Sequence, residues 1–391
     1  MPSLLTRAES LQPWLVERRR RLHEQPELSY QEERTAAFVA AELRALGVEP
    51  LATGLNGNHS LVAELPGEDD ARVIALRADM DALPIQELVD WPHRSRVDGV
   101  AHLCGHDAHT TMLLGAVKLL VEGGEKLPCR VRLFFQGGEE KFPGGANDFI
   151  KTGWLDGVER VFGQHVDPRV DVGVARSAVG PVMAGVNEFT ITVRGVGGHA
   201  AFPHATRDPI LASAHVVTAL QQAVSRREDP LAPGVLSVTT IHAGTAFNVI
   251  PGEVVMTGTA RSFRPDMRDF YGGILRETAE NVARAFGCEA TVYIPECYTP
   301  LIHVAEWVDA GSALAAVVLP VGLGHVDPVM GSEDFALYTA QAPAAFVFVG
   351  CSAPDDRERF MLHHPRFRLD EGVLSRGAAL LAGVALAGGR P

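Results

Sequence analysis

Apolar positions recur at helical spacing over residues 5–25 and again over 31–46, where Ala37, Val39, Ala40, Leu43 and Leu46 share a face and Gly47 ends the pattern. Beyond that point short apolar runs alternate with helical stretches. Val73-Ile74-Ala75-Leu76, Val131-Arg132-Leu133-Phe134-Phe135, Val161-Phe162-Gly163 and Phe346-Val347-Phe348-Val349 read as buried strands. Residues 107–121 put Leu113, Val117 and Leu120 on one helical face. Strands separated by helices predict an α/β domain with a mixed, mostly parallel sheet covered on both faces.

The middle of the chain has a different rhythm. Residues 188–194 alternate as a strand, 209–224 read as a helix, 236–242 and 254–262 as strands, 267–286 as a long helix and 290–294 as a last strand. This β-α-β-β-α-β order is the split pattern of a ferredoxin-like α+β sandwich. The earlier alternation then resumes. A small domain at 182–297, inserted into a larger one made of 1–181 and 298–391, is therefore expected.

With 35 basic and 48 acidic residues the net charge is −13, on a chain that is 46% hydrophobic. That composition excludes a disordered or fibrous protein. It argues against nucleic acid or an anionic membrane as partner, while a small anionic substrate stays open. Five cysteines, Cys104, Cys129, Cys288, Cys297 and Cys351, form no disulfide framework and fit a reducing compartment. Residues 1–30 lack the apolar stretch of a secretion signal, and the run at 377–389 is shorter than the ~20 residues of a membrane span. A cytoplasmic protein is expected.

The reactive residues collect near the predicted strand ends. Asp79 and Asp81 follow one strand, Glu139 and Glu140 another, His165 a third, and His363-His364 lie after the fourth. His102-Leu103-Cys104-Gly105-His106-Asp107-Ala108-His109 opens a helix. Open parallel sheets bind ligands at the C-terminal edge of their strands. Carboxylate, imidazole and thiolate groups converging there suit one or two divalent cations. Singly, each has an ordinary explanation as a core histidine, a solvated acidic pair or a turn residue. The Cys/His cluster matches no zinc-finger spacing.

Several strings share one likeness: His23-Glu24-Gln25-Pro26-Glu27-Leu28, Leu76-Arg77-Ala78-Asp79-Met80-Asp81-Ala82-Leu83-Pro84, Cys104-Gly105-His106-Asp107, Gly138-Glu139-Glu140, Gly198-His199-Ala200-Ala201-Phe202-Pro203-His204, Gly331-Ser332-Glu333-Asp334-Phe335 and Leu362-His363-His364-Pro365. Together they resemble the metal-dependent aminoacylase and carboxypeptidase family, in its amidohydrolase branch with hippurate hydrolases and plant auxin-conjugate hydrolases. The resemblance implies a zinc exopeptidase-like catalytic domain with two divalent metal ions and a ferredoxin-like lid that mediates homodimerisation. It implies Cys104, His106, Glu140, His165 and His363 as metal ligands. Cys104 would bridge, with Glu140 and His363 on one ion and His106 and His165 on the other. Asp79 stands where relatives outside the branch have a ligand histidine, a place His106 would fill. Zinc comes first because soft sulfur suits it, with manganese, cobalt or nickel as alternatives. Glu139 is implied as general base and Asp81 as the group that orients a ligand imidazole.

In the lid, the resemblance implies that His199 reaches a neighbouring subunit's active site, and that Asn248 and Arg261 contact a substrate carboxylate or the oxyanion. His102, His109, His204 and His364 stay outside the ligand set. Three departures stand out. His102-Leu103 precedes the cysteine where relatives have a small residue just before it. Gln136-Gly137-Gly138-Glu139-Glu140 replaces Gln-Pro-Ala-Glu-Glu, which predicts a loosened loop under the base. Gly145-Ala146-Asn147-Asp148-Phe149 departs from Gly-Ala-x-x-Met. No ligand or base is lost. The implied activity is hydrolysis of N-acyl amino acids, N-acetyl or hippurate-like, with carboxypeptidase or dipeptidase action on short peptides as the alternative. A non-catalytic metal-containing binding module would have no use for Glu139, and a redox role for Cys104 lacks a resolving cysteine nearby in sequence.

Overall fold

Leu11 divides the first expected helix in two. In the computed structural model, which describes residues 3–295, 298–305 and 323–389, α1 (Leu4–Ser10) is capped by the Ser3 hydroxyl on the Thr6 N–H. A new helix, α2 (Gln12–Glu24), starts with Pro13 in its first turn, where a missing N–H costs nothing but a continuous helix could not pass. Helix α3 (Glu33–Ala45) follows. Cys297, the last residue of the expected inserted domain, lies outside the described residues.

Two compact units result: Met1–Val182 with Ile302–Asp327 and Leu337–Pro391, and Met183–Leu301 with Pro328–Ala336. Before the insertion the first unit forms β1 (Ala52–Thr53), β2 (Leu61–Leu65), β3 (Asp69–Asp79), α4 (His106–Gly123), β4 (Cys129–Gln136), α5 (Ala146–Lys151), β5 (Val158–Asp171) and β6 (Ala175–Ser177). The inserted unit forms β7 (Gly185–Arg194), α6 (Pro209–Leu220), β8 (Gly234–Ala243), β9 (Glu253–Ser262), α7 (Met267–Ala285) and β10 (Glu289–Tyr293). Afterwards β11 (Leu323–His325), β12 (Ala344–Ser352) and α8 (Val373–Leu386) complete the first unit.

The first unit's sheet has the order β1-β2-β4-β3-β5-β12-β6-β11. Its centre is parallel, since β3 pairs in parallel with β4 and β5, and β5 with β12. All nine residues of β12 are buried, as expected for a strand covered on both faces. Met112, Leu113, Leu114 and Val117 of α4 pack in the same core as Leu76, Leu133, Phe135 and Leu381. Each such side chain contributes ~2 kcal/mol by leaving water. One strand is longer than its sequence suggests. Parallel pairing with β12 carries β5 onward, so His165 sits opposite Phe348 inside the strand rather than past its end.

In the inserted unit the strand order is β8-β9-β7-β10, antiparallel throughout. Asp208 caps α6 by accepting the Ile210 and Leu211 N–H groups. Ile274, Leu275 and Ala279 of α7 share a core with Ile191, Val254 and Met256. Helix α6 stops short of the sequence expectation, and a π-turn at Ala223–Arg227 takes up the remainder. The β-α-β-β-α-β order is the one expected.

Candidate metal centre

Four segments of the first unit bring the reactive side chains together. Asp79 ends β3 and Asp81 follows it; Glu139 and Glu140 lie in the loop after β4; Cys104 and His106 flank Gly105 at the start of α4; His165 belongs to β5. Gly105 has φ +91°, and a Cβ there would lie 2.4 Å from Val166 Cγ2. Only glycine lets this turn pass so close to the strand bearing His165. His363 adopts φ +65° and its N–H donates to Leu103 O at 2.8 Å, which ties the late loop to the cysteine turn.

The donor atoms form two triads that share one sulfur. Cys104, His106 and His165 offer atoms within 4.8 Å of one another, and so do Cys104, Glu140 and His363. Cys104 Sγ lies 3.5 Å from His165 Nε2, and His363 Nε2 lies 3.1 Å from Glu140 Oε1. Glu139, also buried, forms a further group with His106 and Glu140 within the same span.

Hydrogen bonds decide which nitrogen each ring presents. His165 Nδ1 donates to Val166 O at 2.8 Å, leaving Nε2 toward the sulfur. His106 Nδ1 donates to Asp81 Oδ1 at 3.2 Å, while its Nε2 is buried without a hydrogen-bond partner among the described residues. Asp81 Oδ2 accepts the Ser29 hydroxyl at 2.7 Å and the Glu140 N–H at 2.9 Å, so one carboxylate orients two of the donors. His109 belongs to a second buried chain. Its Nε2 accepts the Val166 N–H at 3.0 Å, so its Nδ1 must donate to Asp79 Oδ1, 2.6 Å away. Arg77 holds the other Asp79 oxygen at 2.6 Å. Asp79 is thereby occupied from both sides.

The charges follow from this wiring. Burial opposes ionisation of Asp79, but His106, His109 and Arg77 together hold its carboxyl well below the usual range. Asp81 is likewise held low against burial by His106, Ser29 and the Glu140 N–H. Burial alone would lower His106, yet Asp79, Asp81 and Glu140 push it up to about 10. His165, buried beside His109 and His106, is pushed well down and stays neutral. Burial and the neighbouring Glu140, Glu139 and Asp79 raise the Cys104 thiol well above its ordinary value. A field that draws a proton onto His106 Nε2 draws a dication more strongly, and such a cation releases the proton and the thiol's. The unpartnered Nε2 and the mixed thiolate, imidazole and carboxylate set thus fit divalent metals.

Three expected site residues belong to the inserted unit. His199 pairs with Val249 on two short strands and the Ala200 N–H donates to Asn248 O at 3.0 Å, so His199 and Asn248 lie near each other along the backbone, both exposed. Arg261 Nη1 donates to Met330 O at 2.9 Å. The loosened base loop is not observed. Glu32 Oε1 accepts the Gly138 N–H at 2.8 Å, Ser60 Oγ accepts the Gly137 N–H at 3.0 Å, and Gly138 takes φ +73° against the Tyr30 ring. The two glycines are matched to this packing. Sequence reasoning passed over Ser29, Tyr30 and Glu32, and gave His109 no role beyond leaving it outside the ligand set. The first three directly continue the string ending at Leu28, and His109 lies one helical turn from His106, on the same face.

A mostly parallel sheet whose strand ends present two donor triads around one thiol, with a carboxylate beside them, defines a dinuclear metallohydrolase. Residues 75–387 match the model of peptidase family M20/M25/M40, and the chain belongs to that family. Thermostable carboxypeptidase 1 of Saccharolobus solfataricus is 37% identical over 377 residues, covering 95% of each chain. N-acetylcysteine deacetylase of Bacillus subtilis is 38% identical over 379 residues, covering 95% of this chain and 96% of its own. Among solved structures, the Bacillus subtilis YXEP protein, a dinuclear metal-binding peptidase of the M20 family, matches with a TM-score of 0.82 at 34% identity, over 97% of this chain and 98% of its own. The chain is accordingly a metal-dependent hydrolase of amide bonds that takes two divalent cations. Among the described residues no helix is long and apolar enough to cross a membrane.

Proposed function

We propose that this enzyme cleaves the amide between an acyl group and a free amino acid, with N-acetyl and hippurate-like compounds as substrates. The observation that carries the reading is the pair of triads sharing Cys104 with Glu139 alongside. The similarity to a protein named N-acetylcysteine deacetylase supports it. In this reading Cys104, His106 and His165 hold one cation, and Cys104, Glu140 and His363 the other. Zinc is the first choice for a thiolate and imidazole set, ahead of manganese, cobalt or nickel.

When bound, the cations act as Lewis acids on the amide carbonyl and make a water acidic enough to attack at neutral pH. The remaining work belongs to the chain. Glu139 takes a proton from the attacking water and returns it to the leaving amine. Asp81 fixes the His106 tautomer and the Glu140 backbone. Asp79, through His109, pins the Val166 N–H and with it the strand that carries His165. His199, Asn248 and Arg261 serve the substrate's oxyanion and carboxylate, with His199 acting on the partner protomer of a homodimer formed through the inserted unit. A cytoplasmic location agrees with four buried free cysteines among the described residues. Similarity to a carboxypeptidase supports action on short peptides as the second reading.

The test is Glu139→Gln in metal-reconstituted protein, assayed on a panel of N-acyl amino acids and dipeptides. Turnover should fall by ~10²–10⁴-fold while metal content stays at the wild-type level. Full activity in the variant would remove Glu139 from the mechanism, and a preference for dipeptides would select the second reading.

A further inference from the structure

We propose that Glu32 is a positioning residue for the base Glu139, with Tyr30 bracing the same loop from its other side; this rests on the reading of Glu139 given above. Glu32 is fully buried, and its Oε1 accepts two backbone N–H groups, from Tyr30 at 2.9 Å and from Gly138 at 2.8 Å. Its Oε2 has no hydrogen-bond partner among the described residues. A Cβ at Gly137 would come within 2.8 Å of that oxygen, and one at Gly138 within 2.5 Å of the Tyr30 ring. Beyond the two glutamates, the Tyr30 hydroxyl donates to Lys141 O at 3.0 Å and accepts the Gly144 N–H at 3.1 Å. The loop is therefore held just before Glu139 and again just after Glu140, by two residues of one short segment.

These features work against folding stability. A buried carboxyl with an unpartnered oxygen and a tyrosine at φ +66° each raise the energy of the fold. What the arrangement provides is a fixed backbone under the base, where misplacement by about 1 Å costs on the order of 10²-fold in rate.

The experiment uses metal-reconstituted full-length protein, with kcat and KM on an N-acetyl amino acid and metal content by mass spectrometry. Glu32→Ala should lower kcat by ~100-fold with KM and both metals retained. Glu32→Gln keeps an oxygen for both N–H groups and should recover to within about threefold, while Tyr30→Phe, which folds with the ring in place, should lose about fivefold. In a Glu139→Gln background, Glu32→Ala should cause no further loss, because it acts through the missing base. Wild-type kcat in Glu32→Ala overturns the proposal, and so does a loss that merely follows metal content, a Glu32→Gln as slow as the alanine variant, or an additive loss in the Glu139→Gln background. If Glu32→Ala does not fold, wild-type kcat in Tyr30→Phe overturns it. Full activity in Glu139→Gln would remove the base reading and this proposal together, whereas an inactive Glu139→Gln beside an unaffected Glu32→Ala removes this proposal alone.

Discussion

Burial, reinforced by the charge of Asp81, pushes the Glu32 carboxyl up from 4.5 to about 7. Because the folded value lies above the unfolded one, folding takes up a proton between those limits. The associated stability is complete below pH 4.5 and lost as the pH rises through 7. A displacement of about 2.5 in pKa corresponds to ~3 kcal/mol at ~1.36 kcal/mol per unit. Glutamine at this position does not titrate, yet it offers the same oxygen to the Tyr30 and Gly138 N–H groups. Urea unfolding of metal-free wild-type and Glu32→Gln protein, followed by tryptophan fluorescence from about pH 5 to about pH 8.5, isolates the effect. Across that range the wild type should lose ~2.5 kcal/mol relative to the variant, the first part of the loss falling below about pH 5. Parallel stability curves would refute the reasoning, since they would mean that Glu32 titrates alike in the folded and unfolded chain.

Other substitutions probe the metal centre. Asp81→Asn should weaken metal affinity by ~10–100-fold in a chelator competition, because the His106 ring and the Glu140 backbone lose a charged acceptor. Cys104→Ser should shift metal preference from zinc toward manganese, read by metal content after growth or dialysis with both ions. Gly105→Ala places a methyl against Val166 at a left-handed backbone position and should destabilise the protein by about 1–3 kcal/mol in thermal unfolding.

The candidate donors could be picked out together because cysteine, histidine and glutamate are conspicuous residue types close to apolar runs, and because their strings resemble a known family. The mixed sheet and the inserted β-α-β-β-α-β unit were legible from hydrophobic period alone. What the sequence hid was partnership. Nothing in Asp79 or His109 states that they bond each other, since that depends on β3 and α4 meeting, and on the Val166 N–H taking the remaining ring nitrogen. Gly137-Gly138 suggested slack when read locally. In the fold the same residues are the shape that Tyr30 and Glu32 require. Likewise His165 looked like a loop residue: β3 pairs with β5 only as far as Gly163, and beyond that the strand is carried by β12, where His165 lies opposite Phe348.

The donors are also separated in time. Cys104, His106, Glu140 and His165 precede the inserted unit in the chain, while His363 and the strand β12 that covers the edge of β5 come after it. A growing polypeptide leaving the ribosome therefore carries an open, apolar β5 edge and an incomplete second triad until its final stretch is synthesised. The inserted unit, whose last segment ends at Ala336, has by then had its whole sequence available. Cation capture at the full centre is in this sense a late event of biosynthesis, and a truncated product lacking the last segments would expose a sticky edge instead of holding two metals.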